Sequence, residues 1–130
     1  MTPLSAEWAQ KAEGDFATAQ RELRARKSPN FDAACFHAQQ CAEKYLKALL
    51  LEAGVPLART HSLPALLDAL LPVGPLWEPF RRDLAILSAY AVEFRYPGES
   101  ADRAQAKEAL QLCRGFRRQA RLALGLPGVP

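Results

Sequence analysis

Between Trp77 and Phe94 the apolar side chains fall at Trp77, Phe80, Leu84, Leu87, Ala91 and Phe94, an unbroken alternation of three and four residues. Only an α-helix, turning by roughly 100° per residue, collects such positions on one side. The same spacing recurs elsewhere along the chain, and no stretch alternates with period two. The chain therefore has helices to pack and no strand to pair. Each apolar stripe can be buried only against another element, which restricts the chain to helix-on-helix architectures.

A first helix is expected over residues 5–26, where Leu4, Trp8, Ala12, Phe16, Ala19 and Leu23 keep the spacing and Ser5 is placed as the N-cap. Ser28-Pro29-Asn30 breaks it. A second is expected over 31–53, with Gly54 just past its end, where a left-handed residue commonly closes a helix. A short third helix over 63–71 has Ser62 or His61 as its cap and Pro64 in its first turn, where a missing N–H costs nothing. The fourth is expected over 76–94 and the fifth over 100–124, capped by Ser100. Short connections make successive helices antiparallel. The expected fold is all-α, an antiparallel up-and-down helical bundle of four long helices plus one short helix. Residues 1–130 read as one domain with a core over 5–124 and a flexible tail over 125–130.

Leu and Ala dominate the apolar set and Val and Ile are scarce, which favours helix because unbranched side chains keep their rotamers there. The net charge of +3 permits an anionic partner without demanding nucleic acid. Cys35, Cys41 and Cys113 have neither CxxC spacing nor an even count. They read as small buried hydrophobes in a reducing compartment. No apolar run is long enough to span a membrane, and a cytoplasmic protein without metal or cofactor is expected.

Four groups carry chemistry. His37, Gln40, Lys44 and Lys47 recur at spacings of three, four and three, so they form a polar stripe along the second helix. Lys offers ammonium charge to phosphate, while Gln and His offer hydrogen bonds to sugar or base. The plainer alternative is a solvated face with i,i+4 pairs. Arg59, Thr60 and His61 lead into a helix N-terminus, a natural anion site that is equally explained by capping. Arg95 and Tyr96, before Pro97, offer a guanidinium and a stacking ring, or simply end a helix. The basic run from Arg114 to Arg121 reads as a solvated face. Phosphate-binding loops, nucleophile elbows and zinc-helix motifs are absent from the sequence.

In combination these pieces resemble the HEPN family. The helix carrying Ala34, Phe36, Ala38, Gln39, Gln40, Ala42, Glu43, Lys44, Leu46, Lys47, Ala48, Leu49 and Leu50 fits its central pattern. Trp8, Ala12 and Asp15 precede it, and Thr60-His61 and Arg95-Tyr96-Pro97 follow. The resemblance implies a helical bundle that usually forms a homodimer and is often paired with a minimal nucleotidyltransferase. It further implies nucleotide or RNA binding in some members and metal-independent endoribonuclease activity in others. The ribonuclease branch carries an Arg followed four to six residues later by His. Here Arg95 has no such His, since His37 and His61 are the only two in the chain.

The expected function is a HEPN-type module that binds a nucleotide or RNA-like anion and acts with a nucleotidyltransferase partner. Lys44, Lys47 and Arg95 are expected to hold phosphate, Gln40 and His61 to orient the ligand beside His37, and Tyr96 to stack. The alternatives are an endoribonuclease using His61 and a purely structural dimerisation protein. Lys44, His61 and Arg95 are expected to face one groove, within one subunit or across a dimer. Removing Lys44 or Arg95 should then leave the melting temperature unchanged or raised, because clustered cations repel. The stripe from Trp77 to Phe94 is expected to leave apolar surface for a partner.

Overall fold

A computed structural model describes residues 1–129, which contain helices and no strand. In order they are α1 (Pro3–Arg24), α2 (Phe31–Glu52), α3 (Leu63–Leu70), a 3₁₀ turn over Pro75–Phe80, α4 (Arg81–Glu93) and α5 (Arg103–Ala123). This is the all-α bundle that the spacing implied. The central helix is α2, which packs on α1 and α5 most extensively and on α4 and α3 besides. Small residues permit that closeness. Ala34, Cys35, Ala38, Cys41, Ala42 and Ala48 of α2 are buried beside Ala9, Ala12 and Ala19 of α1 and Ala106, Ala109 and Cys113 of α5. Tyr45, Leu46, Leu50, Leu63, Leu66, Leu67, Leu84, Leu87 and Phe116 fill the remaining core.

The helix ends follow capping chemistry, at positions that differ in part from expectation. Thr2, not Ser5, caps α1, because Pro3 fits the first helical position. Ser5 is instead buried and donates to Glu52 Oε2 at 2.8 Å. Gly54 closes α2 at φ 73°, where Gly54 N–H reaches the Leu51 carbonyl at 3.0 Å and Val55 N–H the Leu50 carbonyl at 2.9 Å. Of the two candidates at α3, Ser62 is the cap, accepting from Ala65 N–H at 3.2 Å. Asp102, not Ser100, caps α5. Its carboxylate accepts from Gln105 N–H at 2.7 Å while the Gln105 side chain accepts from Asp102 N–H at 2.9 Å.

The helix expected over 76–94 is two pieces. Pro79 has no N–H to give to the preceding turn and its ring crowds the carbonyl four residues back. The chain therefore winds as a 3₁₀ turn until Phe80 and becomes α-helical only at Arg81. The turn still delivers Trp77 and Phe80 inward, with ring centroids 5.5 and 5.4 Å from that of Phe116. Leu84, Leu87, Ala91 and Phe94 are buried. Most of the stripe is spent inside the subunit, and Trp77 and Phe80 at its start are half-buried. The large apolar side chains left exposed around it are Val73, Leu76, Val92 and Tyr96.

At the other end Leu126 packs on the core, and its N–H reaches the Arg121 carbonyl at 2.9 Å. Arg121 Nε donates to the Pro127 carbonyl at 3.0 Å. Pro130, the last residue of the tail expected to be flexible, lies outside the described residues. The three cysteines are buried and free. Burial, with Asp32 and Asp102 nearby, pushes the Cys35 thiol up to about 12. Burial and a hydrogen bond with Cys113 push Cys41 well above the usual thiol range. Among the described residues no helix is long and apolar enough to cross a membrane.

Candidate functional site

The polar stripe of α2 is organised by two buried acids. Asp15 on α1 is 9 % exposed, with His37 Nδ1 2.7 Å from Oδ1 and Lys44 Nζ donating to Oδ2. Glu43 of α2 is 2 % exposed, with Lys47 Nζ at 3.0 Å and His61 Nδ1 at 3.1 Å from Oε2. Gln39 Nε2 donates to Glu43 Oε1 at 3.2 Å and to the His61 carbonyl at 3.1 Å, and Gln40 Nε2 donates to Gln39 Oε1 at 2.8 Å. Two acid–histidine–lysine sets thus stand along one helix, and Gln39 and Gln40 extend the second.

A carboxylate only accepts, so each histidine turns a protonated Nδ1 toward its acid. In the neutral ring that leaves the Nε2 lone pair free. The His61 side chain is 83 % exposed, so its free nitrogen is accessible to a ligand. Each buried carboxylate in turn receives the charged partners that its burial requires. Of the i,i+4 pairs that a solvated face offers, Glu43–Lys47 forms. Lys44 crosses to α1 instead of pairing with Gln40.

Beside the second set lies a cavity of about 330 Å³ lined by Trp8, Lys47, Leu57, Ala58, Arg59, Thr60 and His61. Lys47 Nζ sits 5.2 Å from the centroid of a Trp8 ring. The Trp8 indole N–H is buried without a hydrogen-bond partner, an uncommon state for a buried donor. Arg59 is exposed and has no acid partner among the described residues. Ser62 N–H donates to Thr60 Oγ1 at 3.1 Å, which fixes the loop as it enters α3. This wall offers two cations, a hydroxyl and an imidazole beside an aromatic ring.

Arg95 and Tyr96 stand apart. They follow α4, both are exposed, and Arg95 lines a second cavity of about 240 Å³ with Asp32, Phe36, Tyr90 and Phe94. The two regions adjoin through Phe36, whose ring meets His37 edge-on at 5.2 Å. Within one subunit the structure brings His37, Gln40, Lys44, Lys47 and His61 onto the α2 surface. Arg95 lines the neighbouring cavity, and Tyr96 follows it in the chain as an exposed ring.

Spacing along one helix could give Glu43 its Lys47 partner, but not its His61, nor Asp15 its His37 and Lys44. The signal for Asp15 was phase, since it falls three residues after Ala12 and one before Phe16, on the inward side of α1. An acid there needs a cation. The basic run on α5 is likewise not wholly solvated. Arg117 is 8 % exposed and grips Glu13 with Nε at 2.8 Å and Nη2 at 2.7 Å. Tyr45 also donates to Glu13, and Arg121 Nη1 donates to the Tyr45 hydroxyl at 3.1 Å. Burial raises the Glu13 pKa, but the hydrogen bonds from Arg117 and Tyr45 outweigh it and hold the carboxyl below its usual range. Desolvation and the bond to Glu13 push the Tyr45 hydroxyl up.

Comparison with known proteins accords with this arrangement. No curated protein matches the sequence. The crystal structure of TT1696 from Thermus thermophilus is similar at 29 % identity and a TM-score of 0.80, over 93 % of this chain and 98 % of that one. That of ST0689, an archaeal HEPN homologue, is similar in fold at 22 % identity and a TM-score of 0.75, over 95 % of this chain and 99 % of that one. The sequence matches the HEPN domain over residues 5–122. With that match running from the start of α1 nearly to the end of α5, the chain belongs to the HEPN domain family.

Proposed function

We propose that this chain is a HEPN module that binds a phosphate-bearing ligand, a nucleotide or an RNA-like anion, on the α2 surface. The observation that carries the proposal is the cavity lined by Lys47, Arg59, Thr60 and His61, which sets two cations, a hydroxyl and an imidazole beside the Trp8 ring. Lys47 and Arg59 hold phosphate there, and His61 and Gln40 orient the ligand. His37 and Lys44 extend the surface toward Phe36, and Arg95 and Tyr96 contact the ligand's far end. Support also comes from the placement of His61, which Glu43 keeps turned outward.

In keeping with the family resemblance, the module forms a homodimer and acts with a nucleotidyltransferase partner, which co-purification with such a protein would test. The Glu43–His61 pair favours one second reading, a metal-independent endoribonuclease in which His61 Nε2 accepts a proton from a 2′-hydroxyl. A thermal-shift panel of ribonucleotides tests the first reading. A ligand at about 100 times its dissociation constant stabilises the folded chain by about 2.7 kcal/mol. Cleavage of mixed RNA in chelator, lost in His61→Ala, would establish the second. A protein inert in both assays is a structural dimerisation module.

A further inference from the structure

The helices α1 and α5 both pack on α2 and touch each other only lightly. A cleft of about 540 Å³ opens between them, lined by Phe16, Gln20, Arg24, Arg114 and Arg117. It shares Gln20 and Arg24 with a second cavity of about 490 Å³ that Arg21 also lines. The second cavity has no α5 residue in its lining, so it continues the cleft from the seam onto the outer face of α1 near the helix's end. None of the residues lining this groove belongs to the α2 site.

The cations of this groove differ from those of α2. Lys44 and Lys47 each have a buried acid, and so does Arg117, through Glu13. Among the described residues Arg24 and Arg114 have no acidic partner, and Arg21 donates only to Thr18 Oγ1 at 3.1 Å. Placement near the C-terminus of α1 explains Arg21 and Arg24 through the helix dipole. It does not explain Arg114, in the middle of α5. The Phe16 floor is 5 % exposed, with the guanidiniums of Arg117 and Arg114 at 4.0 and 5.7 Å from its ring centroid. The ring attracts the Arg114 guanidinium from 5.7 Å and leaves its five donors unpaired.

We infer that the α1–α5 groove binds the sugar–phosphate backbone of a single nucleic-acid strand, with Arg24 and Arg114 on successive phosphates. Guanidinium forks suit phosphate oxygens in pairs. By helical rise Arg24 lies about 12 Å beyond Phe16 along α1, so the groove spans more than one phosphate. A protein partner fits less well, since interfaces centre on buried apolar anchors. None of the exposed large apolar side chains among the described residues lines this groove. Backbone recognition needs only cations and donors.

The test is fluorescence anisotropy with a labelled oligouridylate of about twelve nucleotides, within the span such proteins cover, titrated at several salt concentrations. The wild-type chain should bind with log affinity falling linearly against log salt. Arg24→Ala/Arg114→Ala should bind at least about tenfold more weakly, with a slope shallower by about 1.4, two contacts at about 0.7 each. Arg82→Ala, an exposed charge outside the groove, should stay within about twofold. The double variant loses only the Arg114–Phe16 contact and one favourable charge at the end of α1, so it should melt within a few degrees of wild type. If it does not, Arg24→Lys/Arg114→Lys keeps the charge and should bind between the two. No wild-type binding at low salt, unchanged binding by the double alanine variant, or an equal loss in Arg82→Ala overturns the inference. If Lys47→Ala/Arg59→Ala abolishes binding while the groove variant does not, the strand lies on α2. The groove proposal then fails and the α2 proposal stands.

Discussion

Lys44 is bound by a buried acid, and that changes what its removal does. As a member of a cation cluster it could be deleted with no loss of stability, as the sequence implied. In the structure it neutralises Asp15, whose side chain is 11 % exposed and whose other partner is His37. Lys44→Ala should therefore lower the melting temperature rather than leave or raise it. Its cost is about 1.5–3 kcal/mol, the range for a hydrogen bond to a charged group. Asp15→Ala should cost a similar amount. Thermal melts of the two single variants and the double should show coupling, with the double losing less than the sum. Such pairs were not legible in the sequence because Asp15 and Lys44 are 29 positions apart, and spacing orders residues only within one helix. What spacing did show was that His37, Gln40, Lys44 and Lys47 share a side of α2.

At the scale of the element, periodicity located each helix and local chemistry decided its ends. The start of α5 was misplaced because Ser100 and Asp102 are both capping types. Only Asp102 has Gln105 three residues on to complete the reciprocal pair. Asp102→Ala should destabilise the chain by about 1 kcal/mol in a urea titration, and Ser100→Ala by much less. The break before α4 was legible in Pro79, which the three-four alternation of its neighbours masked. The seam between α1 and α5 carries a pH dependence through Glu13. Its folded pKa is depressed, so its contribution is present above the ordinary value of 4.5 and is lost as pH falls through the folded pKa. Chemical denaturation between neutral and acid pH should show that loss, and Glu13→Gln should flatten it while lowering stability at neutral pH.

For the whole molecule the bundle was legible, because five amphipathic runs with short links admit few alternatives. The site was legible only as a set of residues. Its division into an α2 surface and a separate Arg95 cavity depends on where α4 ends against Phe36, which no local pattern encodes. The buried Trp8 indole N–H was invisible too, since Trp8 also satisfies the apolar spacing of α1. Binding at the cavity that Trp8 shares with Lys47 and His61 is most directly measured by isothermal titration of the chain with a ribonucleoside triphosphate. Wild type should bind saturably. Lys47→Ala and Arg59→Ala should each weaken binding by about 1.5–3 kcal/mol, the range for a charge-assisted hydrogen bond, while Arg24→Ala/Arg114→Ala binds as wild type. Saturable binding that both cavity variants retain, or no heat of binding from wild type, would contradict the α2 site.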